Sequence, residues 1–89
     1  MDYQYPISND WSTEEVIVVI HFFECVEQAY ERGIDRDQLM KAYRQFKEII
    51  RSKAEEKQVC GEFEETSGYS AYRTVMKAKE AKQAEKIKM

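Results

Sequence analysis

The sequence predicts an all-α fold, a compact bundle of about four helices with an extended N-terminal arm. Apolar residues recur at the helical period in several long stretches, and only three glycines and one proline interrupt the 89 residues. Serine or aspartate is repeatedly followed three residues later by glutamate or glutamine, a pattern typical of helix N-termini. A chain of this length is sufficient for one domain and too short for two, and we place that domain at residues 1–80.

The N-terminal arm is predicted at residues 1–11. Tyr3, Tyr5 and Ile7 alternate around Pro6, and a period of two is typical of extended backbone. The rest of the chain offers no other convincing strand with which the arm could pair. We therefore expect the arm to lay one edge on the helical core.

The first helix is predicted at about 13–32 and is expected to be the central helix of the bundle. Ser12 with Glu15 forms a capping box at its start, and Trp11 with Val16 forms the matching hydrophobic staple. Its apolar residues cover well over half of the helix circumference: Val16, Val18, Val19, Ile20, Phe22, Phe23, Cys25, Val26, Ala29 and Tyr30. Only a narrow stripe is polar: Glu14, His21, Glu24, Gln28, Glu31 and Arg32, with Ile17 as its one large apolar member. An apolar arc this wide indicates neighbours on several sides.

A second helix is predicted at about 36–50. Gly33 supplies the left-handed residue that ends the first helix, and Asp35 with Gln38 repeats the capping pattern. The apolar residues of this helix fall on one face: Leu39, Ala42, Tyr43, Phe46, Ile49 and Ile50. Because the connection is so short, the first two helices should lie adjacent and roughly antiparallel.

Two shorter helices complete the predicted bundle. Ser52 with Glu55 marks the start of a helix at about 53–67, whose thin apolar face indicates a peripheral position. Ser70 is the predicted N-cap of a fourth helix at about 71–81. We expect that fourth helix to place four residues on one side: Tyr72, Val75, Met76 and Lys79.

The last residues, 81–89, are predicted to be a basic, frayed helical tail. Their composition favours a helix, but only Ile87 and Met89 are large and apolar, so no face is available to hold the tail down. From Lys77 onward there are five lysines and two glutamates, a charge of +3, which leaves −6 on residues 1–76 of a chain whose net charge is −3. The body should therefore repel phosphate backbones, whereas the tail alone could contact an anionic surface.

Three stretches of the chain resemble a known family. The opening YPISNDWSTEE, the central FKEII and SKAEEK, and the closing FEETSGYSAYR are together similar to the YktA-like family, short uncharacterised proteins of Bacillus and related Gram-positive bacteria. The resemblance extends to about Ala78 and implies a compact fold of about four helices in a cytosolic bacterial protein. It implies no activity and no site residues. One departure is Arg51, where relatives carry proline, which implies a softer break between the second and third helices.

Composition indicates a reduced, cytoplasmic protein. The first ten residues have no basic region followed by an apolar run, so they do not form a secretory signal. The apolar run 16–23 is far shorter than the roughly 20 residues that span a bilayer. The two cysteines, Cys25 and Cys60, fall at apolar helical positions with no CxxC pair, which is typical of half-buried free thiols.

The sequence contains no convincing metal or cofactor site. Glu14, His21 and Glu24 share the polar stripe of the first helix, but carboxylate-bridged metal bundles need a Glu-x-x-His motif on two helices, and this chain has one histidine. We interpret the stripe as a solvated face. The acidic cluster of the third helix, Glu62, Glu64 and Glu65, lacks the loop spacing of a calcium site. No cofactor is therefore expected.

The chain also shows no catalytic set, so we predict that it is not an enzyme. Cys25 lies on the apolar arc, where burial raises a thiol pKa, and Cys60 is close to acids rather than a base. His21 is expected to project from a different edge of the first helix than Cys25, which excludes a nucleophilic pair.

The most unusual local composition lies at the start of the fourth helix. Tyr69, Ser70, Tyr72 and Arg73 combine residue types that often anchor interfaces with a helix N-terminus. This candidate interaction surface favours a small module that binds another protein or itself. Alternatively the junction is purely structural, its tyrosines completing the core. A second hypothesis is weak nucleic-acid or ribosome binding through the lysine tail, although the acidic body opposes it.

Overall fold

Four helices make up most of residues 5–89, the part of the chain that the computed structural model describes. Two short strands complete the fold. In chain order the elements are α1 (Thr13–Glu31), β1 (Ile34–Asp35), α2 (Arg36–Ile49), α3 (Lys53–Ser67), α4 (Ala71–Glu80) and β2 (Lys86–Ile87). The predicted all-α bundle is confirmed.

Capping residues begin each helix where the sequence predicts. Ser12 forms a complete capping box with Glu15, since each residue's side chain accepts the other's backbone N–H. The other three N-caps each accept the amide of the residue three positions on: Asp35, Ser52 and Ser70. These bonds satisfy amide donors that have no partner inside the helix, and they therefore fix the residue at which each helix begins.

The core is built around α1, as predicted. Its fully buried Phe22 and Phe23 meet aromatic rings of two other helices, with Phe46 of α2 at 4.5 Å from Phe22 and Phe63 of α3 at 4.4 Å from Phe23, measured between ring centroids. Ile17, the apolar residue in the polar stripe, is 61% exposed. Burying rings of this size supplies much of the hydrophobic stabilisation of a small bundle.

The N-terminal arm reaches the core through Tyr5. Its ring stacks near Phe23 and Phe63, at centroid distances of 6.4 and 6.2 Å. Its hydroxyl donates a hydrogen bond of 2.7 Å to the carboxylate of Glu27 on α1. Ile7 keeps 52% of its surface in water, so the predicted contact with the core does not extend to that residue. Tyr3 lies outside the described residues.

The C-terminal segment, residues 81–89, is docked, and the predicted frayed helical tail is wrong. Helix α4 ends at Glu80, and β2 then pairs antiparallel with β1, placing Ile87 opposite Ile34. Ile87 is fully buried. Lys86 to Met89 alternate polar and apolar, a strand pattern too short to stand out, and the segment is held because one buried isoleucine meets another.

Helix α4 packs on a different face from the one the sequence predicts. It buries four residues, three of them small: Ala71, Thr74, Val75 and Ala78. Tyr72 is 71% exposed and Met76 38% exposed, so of the four residues predicted to share one side only Val75 is buried. Small residues let this helix approach its neighbours closely, and the Thr74 hydroxyl donates to the Ser70 carbonyl at 2.7 Å, which satisfies its buried polar atom.

Candidate functional site

The candidate interaction surface divides into an inner and an outer half. The inner half is Tyr69 and Ser70, which are fastened to the end of α1. The ring of Tyr69 stacks on that of Tyr30 with 4.6 Å between centroids, and its hydroxyl donates to the carboxylate of Glu31 at 3.2 Å. The Ser70 amide donates to the Tyr30 hydroxyl at 3.1 Å. These contacts fix the start of α4 against α1, so this half has a structural role.

The phenol of Tyr69 is kept neutral by its surroundings. Partial removal from water, the hydrogen bond to Glu31 and the negative charge of that carboxylate together raise the pKa of Tyr69 above its ordinary value. A phenol with a raised pKa remains a hydrogen-bond donor across the physiological range. Tyr69 therefore keeps the proton with which it bonds Glu31, and this bond helps to hold the start of α4 against α1.

The outer half consists of Tyr72 and Arg73, both exposed. Met76 lies one turn beyond Tyr72 on the same side of the helix, because residues four apart are neighbours on a helix surface. Lys77 lies one turn beyond Arg73, and Lys79 falls on the other side of the Tyr72–Met76 pair by helical spacing. We name these five residues the α4 outer surface.

Two lysines of the α4 outer surface have contacts of their own. Lys79 places its ammonium 5.7 Å from the ring centroid of Tyr43, within the range of a cation–π contact. Lys77 donates to the main-chain carbonyl of Lys88 at 2.5 Å, which ties α4 to the docked C-terminal segment. The basic border of the surface is thus partly held in place.

The sequence predicted Tyr72 and Arg73 as candidates and placed Met76 and Lys79 on the side of Tyr72, but the predicted candidate surface did not include Met76, Lys77 or Lys79. The signal was present in the small residues of α4. Ala71, Thr74 and Ala78 repeat at helical spacing, and a stripe of small residues is a packing face as much as a stripe of large ones.

His21 and Cys25 do lie in contact, and the expectation that they point apart is wrong. The Cys25 sulfur is 3.8 Å from Nε2 of His21, one turn earlier on α1. Burial, with a smaller contribution from Glu24, raises the pKa of Cys25 to about 11. A thiol of this kind stays protonated at neutral pH and is a poor nucleophile, so the contact does not activate it.

Cys60 is likewise kept as a thiol. Burial and the neighbouring Glu56 raise its pKa to about 12, although the ammonium of Lys47 acts in the opposite direction. Lys47 is engaged with Glu56 in an ion pair of 2.5 Å. Both cysteines are unpaired in the structure.

A shallow acidic cleft of about 350 Å³ runs along the exposed side of α1. Its lining includes the carboxylates of Glu24, Glu27 and Glu31, with Arg32 as a cation at one end. Burial and the nearby Glu31 raise the pKa of Glu27. Within residues 5–89, no three or more histidine, cysteine or acidic side chains are grouped so that they could hold a metal ion.

None of the helices in the described part of the chain combines the length and apolar character needed to cross a bilayer. These helices are instead between 10 and 19 residues long and are separated by short connections.

Comparison with known proteins gives one family. Residues 2–88 match the description "Uncharacterised protein family (UPF0223)". The UPF0223 protein YktA of Bacillus subtilis (strain 168) is 63% identical over the whole of both chains. A UPF0223 protein of Bacillus velezensis is 60% identical over 94% of this chain and 96% of its own length. A UPF0223 protein of Lysinibacillus sphaericus is 54% identical over all of this chain and 94% of its own.

Proposed function

The chain belongs to the uncharacterised protein family UPF0223, and we propose that it is a small cytoplasmic module that binds another protein through the α4 outer surface and performs no catalysis itself. The observation that carries the proposal is Tyr72, which is 71% exposed beside the partly exposed Met76. A tyrosine on a rigid helix offers a large contact area with few rotatable bonds, which favours it as an interface anchor.

Charge identifies the kind of partner. Arg73, Lys77 and Lys79 border the Tyr72–Met76 pair, and Glu80 at the last position is the only acid on the helix. The chain as a whole carries −3, so this basic surface is an exception on an acidic protein. A segment rich in aspartate or glutamate with a central apolar side chain would meet the cations at its rim and the pair at its centre. We propose such an acidic protein segment as the occupant.

Nucleic acid is the alternative, and the docked C-terminal segment weighs against it. That hypothesis relied on a free lysine tail following the fourth helix. In the structure Lys77 is bonded to the Lys88 carbonyl, and the side chain of Lys86 lies against Gly33. Lys77 and Lys86 are thereby engaged with the protein itself, and the segment is not the free lysine tail that the hypothesis requires.

The test is a selection of displayed random 12-residue peptides on the full-length chain. We expect the enriched peptides to be acidic with an apolar residue near the middle. Tyr72→Ala should weaken their binding by about tenfold or more, and Arg73→Glu should weaken it and reduce its dependence on salt. Matched controls are Ile17→Ala, which removes an equally exposed apolar side chain, and Lys57→Glu on α3.

Circular dichroism at 222 nm should show unchanged helicity for all four variants, because each altered side chain is exposed. Enriched peptides that are neutral or basic, or that bind the Tyr72→Ala variant equally well, would refute the proposed surface. The same variants are to be titrated with a single-stranded RNA of about 12 nucleotides. RNA binding that Tyr72→Ala abolishes would replace the protein partner with nucleic acid. Sedimentation of the chain alone reports whether it binds itself.

A further inference from the structure

The C-terminal segment is attached at its far end and exposed in its middle. Residues 82–86 are exposed, whereas Ile87 is fully buried opposite Ile34. Main-chain bonds hold it on both sides of β2, from the Arg36 amide to the Glu85 carbonyl at 2.8 Å and from the Met89 amide to the Ala29 carbonyl at 3.0 Å. The contacts that hold the segment are thus concentrated in residues 85–89, beyond an exposed loop.

The loop that leads to this segment is strained. Ala84 has φ +66°, and among residues 5–89 it is the one residue other than glycine with a positive φ. The left-handed conformation brings a Cβ atom too close to the following carbonyl, so alanine adopts it only when its surroundings require it. Here the requirement is to turn the chain back from the end of α4 to the edge of β1. An arrangement that lets the loop extend would relieve this strain.

We propose that residues 82–89 exchange between two copies of the chain, so that β2 of each copy pairs with β1 of the other. The segment that pairs with β1 is then β2 of the second copy, and this pairing is the same as the one seen within a single chain. Ile34 would receive Ile87 of the second copy, and the same main-chain bonds would form across the interface. Exchange of identical elements costs little free energy, because the dimer repeats the contacts of the monomer. In addition, the extended loop no longer needs Ala84 in the left-handed conformation.

Concentration decides between the closed and the exchanged form. A short loop holds the segment near its own β1 at an effective concentration in the millimolar range or above, so dilute chains are closed monomers. The exchanged dimer gains at high protein concentration. Shortening the loop should favour it further, because a loop that cannot close leaves only the edge of another copy for the segment.

A disulfide trap tests the exchange directly. Asp35 and Lys86 face each other across β1 and β2, and the bonded pair Arg36–Glu85 next to them makes theirs a non-hydrogen-bonded pair, whose Cβ atoms lie close. One copy carries Asp35→Cys and the other Lys86→Cys, both in a background that replaces the two native cysteines with alanine. Mixed at about 1 mM under a glutathione redox buffer, they should form a covalent heterodimer.

The matched control replaces Asp35→Cys with Glu48→Cys, an exposed position near the other end of α2. We expect at least about fivefold more heterodimer from the facing pair than from the control, falling as the mixture is diluted tenfold. A yield equal to the control would overturn the proposal.

A second measurement, by size-exclusion chromatography, uses loop variants in which both native cysteines are kept. Deleting Gln83 and Ala84 shortens the loop by two residues, so Lys86 can stay exposed and Ile87 buried in β2. This deletion should convert the chain from monomer to dimer in size-exclusion chromatography. At about 1 mM, where the exchanged dimer is favoured, Ala84→Gly, which removes the strain, should lower the fraction of dimer relative to the native chain. If the deletion variant elutes as a monomer, the segment has detached without finding a second copy, and the proposal is wrong.

Discussion

Replacing Ile87 with alanine measures how firmly the C-terminal segment is docked. Ile87 is completely buried against Ile34, so the change removes three buried carbon atoms from a residue two positions before Met89. Large-to-small changes at buried isoleucine or leucine typically cost 2–5 kcal/mol. We expect about 2–3 kcal/mol here, the lower part of that range, because a terminal segment can detach instead of surrounding an empty cavity.

The assay is urea unfolding followed by circular dichroism at 222 nm, supported by a thermal scan. A loss of this size corresponds to a fall in Tm of about 10 °C or more for a domain of this length. The matched control is Lys88→Ala, which alters an exposed side chain next to the buried one and leaves its main-chain carbonyl in place. A chain ended after Gln83 should lose about as much stability as the Ile87→Ala variant, since both abolish the same docking.

An Ile87→Ala variant that unfolds at the same urea concentration as the native chain and as Lys88→Ala would refute the reasoning. In that case the segment would contribute nothing to stability, as a frayed tail does. The difference in unfolding free energy between the Ile87→Ala and Lys88→Ala variants measures the contribution of docking, whatever its size.

Three further predictions concern the junction, a carboxylate and the thiols. Tyr30→Phe removes the hydroxyl that accepts the Ser70 amide and should lower the unfolding free energy by about 1 kcal/mol in urea titration. Glu27→Gln should stabilise the chain at pH 7, with a difference that shrinks as pH falls, when unfolding is followed across pH 4–7. The Cys25 thiol, with its pKa raised to about 11, should react with iodoacetamide at pH 8 far more slowly in the folded chain than in urea.

The sign of the Glu27 effect follows from linkage. Its folded pKa lies above the ordinary value, so its contribution to stability is fully present below that ordinary value and is lost as pH rises through the folded pKa. Removing the charge therefore helps most at neutral pH. Glutamine keeps an oxygen that accepts the Tyr5 hydroxyl, so the hydrogen bond survives the change. A Glu27→Gln variant less stable than the native chain at pH 7 would contradict this account.

Controls for the other two predictions use matched residues. Tyr43→Phe removes a hydroxyl that donates to Glu56, a bond of a tyrosine elsewhere in the bundle, and separates the role of the junction from a general effect of losing a phenol. For the thiols, equal reaction rates in folded and unfolded chains would show that Cys25 is neither buried nor kept protonated. The alkaline limit provides a second check, because stability that depends on the neutral thiol is lost as pH rises from about 9 toward 11.

Much of the fold is local in origin and could be predicted. Ser12, Asp35, Ser52 and Ser70 each carry the start of a helix within four residues of sequence, and all four begin helices in the structure. The wide apolar arc of the first helix required neighbours on several sides whatever their identity. These inferences needed no knowledge of which segments meet.

The C-terminal segment could not be predicted because its partner is remote. Ile87 is buried by Ile34, 53 positions earlier by register, and no pattern within residues 81–89 encodes that contact. At the candidate site the sequence pattern did not identify which side of α4 is buried. Tyr72 and Met76 were grouped with Val75 on one side of α4, whereas the structure buries Val75 together with the small Ala71 and Ala78 and leaves Tyr72 and Met76 exposed. Residue types suggested the candidate surface, and only tertiary packing separated its inner half, bonded to α1, from its exposed outer half.

The bond from the Met89 amide to the Ala29 carbonyl also bears on where a purification tag can be placed. A tag fused directly after Met89 extends the chain at the residue that makes this bond, whereas one placed ahead of the arm leaves the bond untouched, so a tag after Met89 should loosen the docking of β2 more than a tag ahead of the arm.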